Sequence, residues 1–208
     1  MEKQIDKNLP NKLTILRIIL VPVFIVVLWL PLMTKGAVTD LTAKIISSAI
    51  FVFSAVTDFI DGKLARKYNI VSNFGKFMDP LADKFLVIGS MLAMALVYEG
   101  VPRIWLIVSL IISVFRELAV SSMRLIAKNA DGLVIAAALP GKIKTFSQCI
   151  FVPLLLLEGY VFSFLYNNLP LEAVFSNLPL SFICMLIMNF FTIYSGIQYL
   201  NTYKKYIF

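Results

Sequence analysis

Asp58, Asp61, Asp79 and Asp83 lie at or beside the ends of two strongly apolar segments, within the run DFIDGKLARKYNIVSNFGKFMDPLAD. An aspartate near the centre of a membrane helix costs about 2.5 to 3.5 kcal/mol to insert, and less near the interface. Such a cluster calls for a metal, a proton path or a polar substrate. On a helix, the step from Asp58 to Asp61 turns through a net of about 60°, so both carboxylates project from one face and can share a ligand. Gly62 and Ala65 fall within about 40° of Asp58 on that face, where small side chains let a bulky group approach the backbone. Arg66 stands one step beyond. Asp79 and Asp83 repeat the pattern at a spacing of four, about 40° apart. Gly75 continues their face if the helix begins early enough. Asp79 before Pro80 also reads as a helix start, with Asp as N-cap and Pro at the first helical position.

The elements that must position these groups are membrane helices. The 208-residue chain is 60% hydrophobic and only 15% charged, with a mean hydropathy of +0.87. That is more apolar surface than a soluble domain of this length can hide. We read an all-α fold, an integral membrane bundle of six transmembrane helices over roughly 13–33, 41–63, 79–98, 104–127, 145–166 and 180–200, forming a single domain over 1–208. The first apolar stretch is followed by LMTKGAV and not by a small-x-small cleavage site, so it reads as a retained span. Residues 1–12, polar and basic, read as a short N-terminal interfacial helix or as a solvated tail. Six spans put both termini on one side. Lys3, Lys7, Lys12, Arg17, Lys63, Arg66, Lys67, Lys76, Lys128, Lys142, Lys144, Lys204 and Lys205 fall on that side, against Lys35, Lys44 and Arg103 on the other. The basic side is cytoplasmic. Both carboxylate pairs then lie at the cytoplasmic face, on neighbouring antiparallel helices joined by a short basic connection.

The net charge of +7 follows from this asymmetry, so it points to anionic membrane lipids and not to nucleic acid. Cys149 and Cys184 lie in apolar segments and read as small buried hydrophobes. The chain has no His, which excludes His-based acid–base chemistry and His ligands. Any metal must be held by oxygen. Four carboxylates converging from two helices suit Mg²⁺ or Mn²⁺, and such cations relieve the mutual repulsion of the acids. Ions of this kind clamp phosphates.

The pattern D-x2-D-G-x2-A-R-x8-G-x3-D-x3-D resembles the signature of the CDP-alcohol phosphatidyltransferases, and its fixed positions are all present as Asp58, Asp61, Gly62, Ala65, Arg66, Gly75, Asp79 and Asp83. At residue frequencies of about 5%, these positions would match by chance on the order of once in 10⁸ chains of this length. The resemblance implies a six-helix fold in a bacterial cytoplasmic membrane, a homodimer, and a cytoplasmic-side cavity that binds CDP-diacylglycerol and two divalent metal ions. Position by position, it implies Asp58, Asp61, Asp79 and Asp83 as metal ligands, with Asp83 also the general base toward the acceptor alcohol. It implies Gly62, Ala65, Arg66 and Gly75 as lining of the CDP-lipid pocket.

The acceptor is a question for the basic residues. Arg116 and Arg124 sit within the fourth apolar segment, where a cation must face the protein interior, a cavity or the interface. Lys142 and Lys144 follow in PGKIKTFSQ. Together they suit an acceptor that carries its own phosphate. The stretches PNKLTILRI, DPLADK and GKIKT are similar to the branch of the family that uses glycerol 3-phosphate, which implies phosphatidylglycerol phosphate and CMP as products. Inositol phosphate, serine and phosphatidylglycerol are alternative acceptors for the same chemistry. Plainer roles stand beside these. Glu117 can pair with Arg124 or with a neighbouring helix, Lys142 and Lys144 can be positive-inside anchors, and Lys84 can offset local negative charge. Asn11, Thr14 and Arg17 read as a helix start with an interfacial cation. A Mg-dependent membrane prenyltransferase would show two Asp-rich stretches on well-separated helices. A cation transporter would spread its acids through the membrane depth. This chain carries one continuous constellation, with Arg66 and Lys67 beside it.

Overall fold

The computed structural model describes residues 9–34, 37–68, 73–131, 139–161 and 179–207. These form α1 (Leu9–Met33), α2 (Asp40–Tyr68), α3 (Asn73–Val97), α4 (Gly100–Asp131), α5 (Leu139–Val161) and α6 (Pro179–Ile207). Residues 1–8, assigned above to an interfacial helix or tail, lie outside the described residues, as do the side chains of 60–68. The chain divides into two compact units, Met1–Val97 with α1 to α3 and Tyr98–Phe208 with α4 to α6.

The helices are longer than the apolar segments alone indicate. Segments of α1, α2, α3, α4 and α6 are long and apolar enough to cross a membrane, and the protein is an integral membrane protein. Among the described residues α5 falls short of that mark, because Lys144, Gln148 and Glu158 interrupt its apolar run and are buried. The side-chain distribution is inverted relative to a soluble protein: Phe115, Phe146 and Ile104 point outward, whereas Ser47, Ser90, Ser109, Ser113 and Ser195 are buried. Lipid replaces water around these helices.

In the first unit, α1 packs along both α2 and α3, which barely touch each other. Thr14, Arg17, Val21, Phe24 and Leu28 are all buried and recur at steps of three and four, one seam along α1. The upper seam is apolar. Phe24 meets Phe51 of α2 with ring centroids 6.3 Å apart, and Val21 presses so close to Gly89 of α3 that a Cβ there would stand 2.9 Å from Val21 Cγ1. Near it, Trp29 Nε1 donates to the Ala93 carbonyl at 3.2 Å. The lower seam, Thr14 and Arg17, is polar. Thr39 caps α2 by accepting the Thr42 amide at 3.2 Å, with Asp40 in the first turn paired to Lys44 at 2.7 Å.

In the second unit α6 takes the equivalent central place, packing along α4 and α5. Asn189 Nδ2 donates to Ser109 Oγ at 2.8 Å, Trp105 and Phe182 lie 4.3 Å apart, and Tyr98 donates to the Leu155 carbonyl at 2.6 Å. Glu158 is buried at the start of α6, where its carboxylate accepts the Leu180 and Ser181 amides at 2.8 and 2.7 Å as well as the Ser181 hydroxyl. A carboxylate borrowed from α5 thus satisfies donors that a helix N-terminus leaves open.

Gly89→Val should destabilise the first unit by about 1–3 kcal/mol through overpacking against Val21. Gly196→Ala, whose Cβ would stand 3.4 Å from the flexible Arg116 Cγ, should cost less. Thermal unfolding in detergent ranks the two variants, and equal melting temperatures would contradict the close α1–α3 packing.

Candidate active site

The α2 helix continues unbroken to Tyr68, so Asp58, Asp61, Gly62, Ala65 and Arg66 all belong to one regular helix. The side chains of Asp61, Ala65 and Arg66 lie outside the described residues, as does the surrounding of Gly62. The α3 helix starts at Asn73, which places Gly75, Asp79 and Asp83 on successive turns of one face and buries Gly75. This start excludes the N-cap reading of Asp79. Pro80 sits inside the helix and not at its first position.

What brings the acids of α2 and α3 together is α1. The Arg17 guanidinium, 1% exposed, places Nη1 2.7 Å from Asp58 Oδ1 and 2.8 Å from Asp83 Oδ1. Three residues earlier on the same seam, the buried Thr14 hydroxyl donates to Asp79 Oδ1 at 2.6 Å. One face of α1 therefore holds three carboxylates from two helices. Arg17 is not the interfacial cation at a helix start that its position suggests. A cation this deeply buried requires charged acceptors around it, and here it has two.

Asp58 and Asp83 remain 42% and 53% exposed at their side chains, and Asp79 is exposed as well. They are anchored on the α1 side and open on the other. Among the described residues no three acids stand close enough to hold one ion by themselves; the Arg17 guanidinium lies between two of them. The donors are carboxylates, hard oxygens of the kind that Mg²⁺ and Mn²⁺ take. The residues present fit a divalent metal.

The basic residues form a second assembly within α4 to α6. Arg116 Nη1 contacts Glu117 Oε1 at 2.9 Å, and its Nε and Nη2 donate to Ser195 Oγ at 3.2 and 3.0 Å. Lys144, buried on α5, bonds the same Glu117 oxygen. Arg124 pairs with α6 instead: its Nη2 donates to the Tyr199 hydroxyl at 2.6 Å, and its Cζ lies 5.0 Å from the Tyr199 ring centre. Glu117 thus serves Arg116 and Lys144, not Arg124. Gly141 and Gly196 flank Arg116, where added Cβ atoms would come to 3.6 and 3.4 Å of its side chain. Lys142 is exposed. Among the described residues, Glu117 is the one carboxylate that meets Arg116 and Lys144, so this group carries more positive than negative charge, a chemistry suited to phosphate.

The sequence model of the CDP-alcohol phosphatidyltransferase family matches residues 7–194. A Bacillus subtilis protein named CDP-diacylglycerol–glycerol-3-phosphate 3-phosphatidyltransferase is 37% identical over 198 residues, covering 93% of this chain and 94% of its own length. Proteins of the same name from Rickettsia felis and Haemophilus influenzae are each 35% identical, over 98% and 95% of this chain and 99% and 94% of their own lengths.

Glu117→Gln should leave Arg116 and Lys144 facing a neutral amide, lowering stability by about 1–3 kcal/mol. The melting temperature in detergent should fall accordingly. No change would show that the cations are satisfied without Glu117.

Proposed function

The chain belongs to the CDP-alcohol phosphatidyltransferase family, and from that premise we propose that it transfers the phosphatidyl group of CDP-diacylglycerol to glycerol 3-phosphate, yielding phosphatidylglycerol phosphate and CMP. The observation that carries this reading is the assembly of Asp58, Asp79 and Asp83, three acids of the family pattern, on one face of α1. The named activity of relatives that align along almost the whole chain supports the choice of acceptor.

Asp58, Asp61, Asp79 and Asp83 are proposed to hold two divalent ions, Mg²⁺ or Mn²⁺. When bound, those ions supply neutralisation of the diphosphate and of the charge that grows on the departing CMP. Asp83 is proposed to take the proton from the attacking hydroxyl, a task for which position matters first. Arg17 fixes one of its oxygens, so the carboxylate meets the hydroxyl in a defined orientation. Gly62, Ala65, Arg66 and Gly75 are assigned to the cytidine diphosphate portion, where small residues admit the nucleotide close to the helix backbone.

Arg116, Arg124, Lys142 and Lys144 are assigned to the phosphate of the acceptor, with Glu117 setting the direction of Arg116 and Lys144. Inositol phosphate asks for the same cations, whereas serine and phosphatidylglycerol ask less of them. We place the protein in a bacterial cytoplasmic membrane, as a homodimer of single-domain chains, with the aspartates and both termini on the cytoplasmic side. The distribution of Lys and Arg supports that orientation.

Purified protein in detergent with Mg²⁺ or Mn²⁺, CDP-diacylglycerol and glycerol 3-phosphate should release CMP, and EDTA should abolish the release. Release with serine but not glycerol 3-phosphate would reassign the acceptor, and no release with any alcohol of the panel would remove the enzymatic reading. Asp83→Asn should cut kcat roughly 10²–10⁴-fold while retaining CDP-lipid binding better than turnover. Asp79→Asn should weaken metal-dependent CDP-lipid binding as well. Full turnover by the Asp83→Asn protein would discard the base assignment.

A further inference from the structure

We infer that Arg17 is a positioning residue that acts as a resident counter-cation, occupying the acid cluster in the substrate-free protein and making tight divalent-metal binding dependent on the diphosphate substrate. The inference rests on the metal site proposed above and concerns what α1 contributes to it. Arg17 is fully buried, and one nitrogen, Nη1, bridges an acid of α2 and an acid of α3. The guanidinium is always charged. It therefore offsets part of the cluster's negative charge without any ion, and it links α2 to α3, which scarcely touch each other.

The same arrangement opposes a metal. Nη1 takes up lone pairs of Asp58 and Asp83 that a divalent ion would use, and a fixed positive charge beside two further positive charges repels them strongly where water is scarce. A CDP-linked lipid reverses the balance, because its diphosphate brings negative charge and additional oxygen donors. Metal and substrate then favour each other's binding, and by linkage each strengthens the other equally. Thr14 differs from Arg17 in one useful respect. It holds Asp79 through a neutral hydroxyl, so its loss changes positioning but no charge.

Mn²⁺ binding to the detergent-purified protein, followed by electron paramagnetic resonance with and without CDP-diacylglycerol, separates this role from a merely structural one. Without the lipid, Arg17→Gln should bind Mn²⁺ roughly tenfold more tightly than the parent, and its further gain on adding CDP-diacylglycerol should shrink by about the same factor. A structural strut would give unchanged or weaker binding, and that result overturns the inference. Thr14→Val should show no tightening; tightening equal to that of Arg17→Gln would also overturn it, since charge would not be the cause. Should Arg17→Gln fail to fold, Arg17→Lys keeps the charge and should stay within about threefold of the parent, with a tenfold gain counting against the proposal. The parent's CMP release is read in parallel. Release without the Mn²⁺ shift removes only this inference, and the shift without release removes only the proposed reaction.

Discussion

The contact on which the first unit turns is the buried guanidinium between Asp58 and Asp83. The buried guanidinium without its acids would cost several kcal/mol, whereas the half-exposed acids gain from it a fixed partner that offsets their mutual repulsion. Together they define where α1 must sit. The seam that seats Val21, Phe24 and Leu28 among α2 and α3 ends in Thr14 and Arg17, so the hydrophobic packing of α1 and its grip on the carboxylates are one register. A slip of α1 by one residue would break both.

The second unit uses related chemistry with the opposite sign. Glu117 gathers Arg116 and Lys144, Tyr199 receives Arg124, and α6 supplies Ser195 and the aromatic pair Tyr199–Tyr203 stacked at 6.0 Å. Among the described residues, acids outnumber the cation in the first group, and cations outnumber the acid in the second. On the proposed reading the first group serves a divalent metal and the second a phosphate. A chain with no His has built both from carboxylate, guanidinium and ammonium alone.

Asp58, Asp79 and Asp83, which the structure gathers along α1, stood out in the sequence because helical periodicity and charge in an apolar context are local signals. The identity of helices, and nearly all their positions, followed from hydropathy for the same reason. Arg17 was not legible. It lies far along the chain from its partners, and a basic residue near the start of a first span has an ordinary explanation in membrane orientation. Asp79 beside Pro80 misled in the other direction, since the dipeptide is a good helix start, yet α3 begins at Asn73 and carries the proline within it. Glu117 had several basic residues within reach of its helix, and only packing of α5 against the rest of its unit selects Lys144. Pairings across helices are tertiary facts, which residue spacing along one helix does not contain.

Direct attack of an acceptor hydroxyl on the phosphatidyl phosphorus leaves an isotopic trace. With glycerol 3-phosphate carrying ¹⁸O in its primary hydroxyl, mass spectrometry of the products should find the label in the bridging ester of phosphatidylglycerol phosphate and none in CMP. Label in CMP, or an unlabelled lipid product, would contradict transfer by that attack.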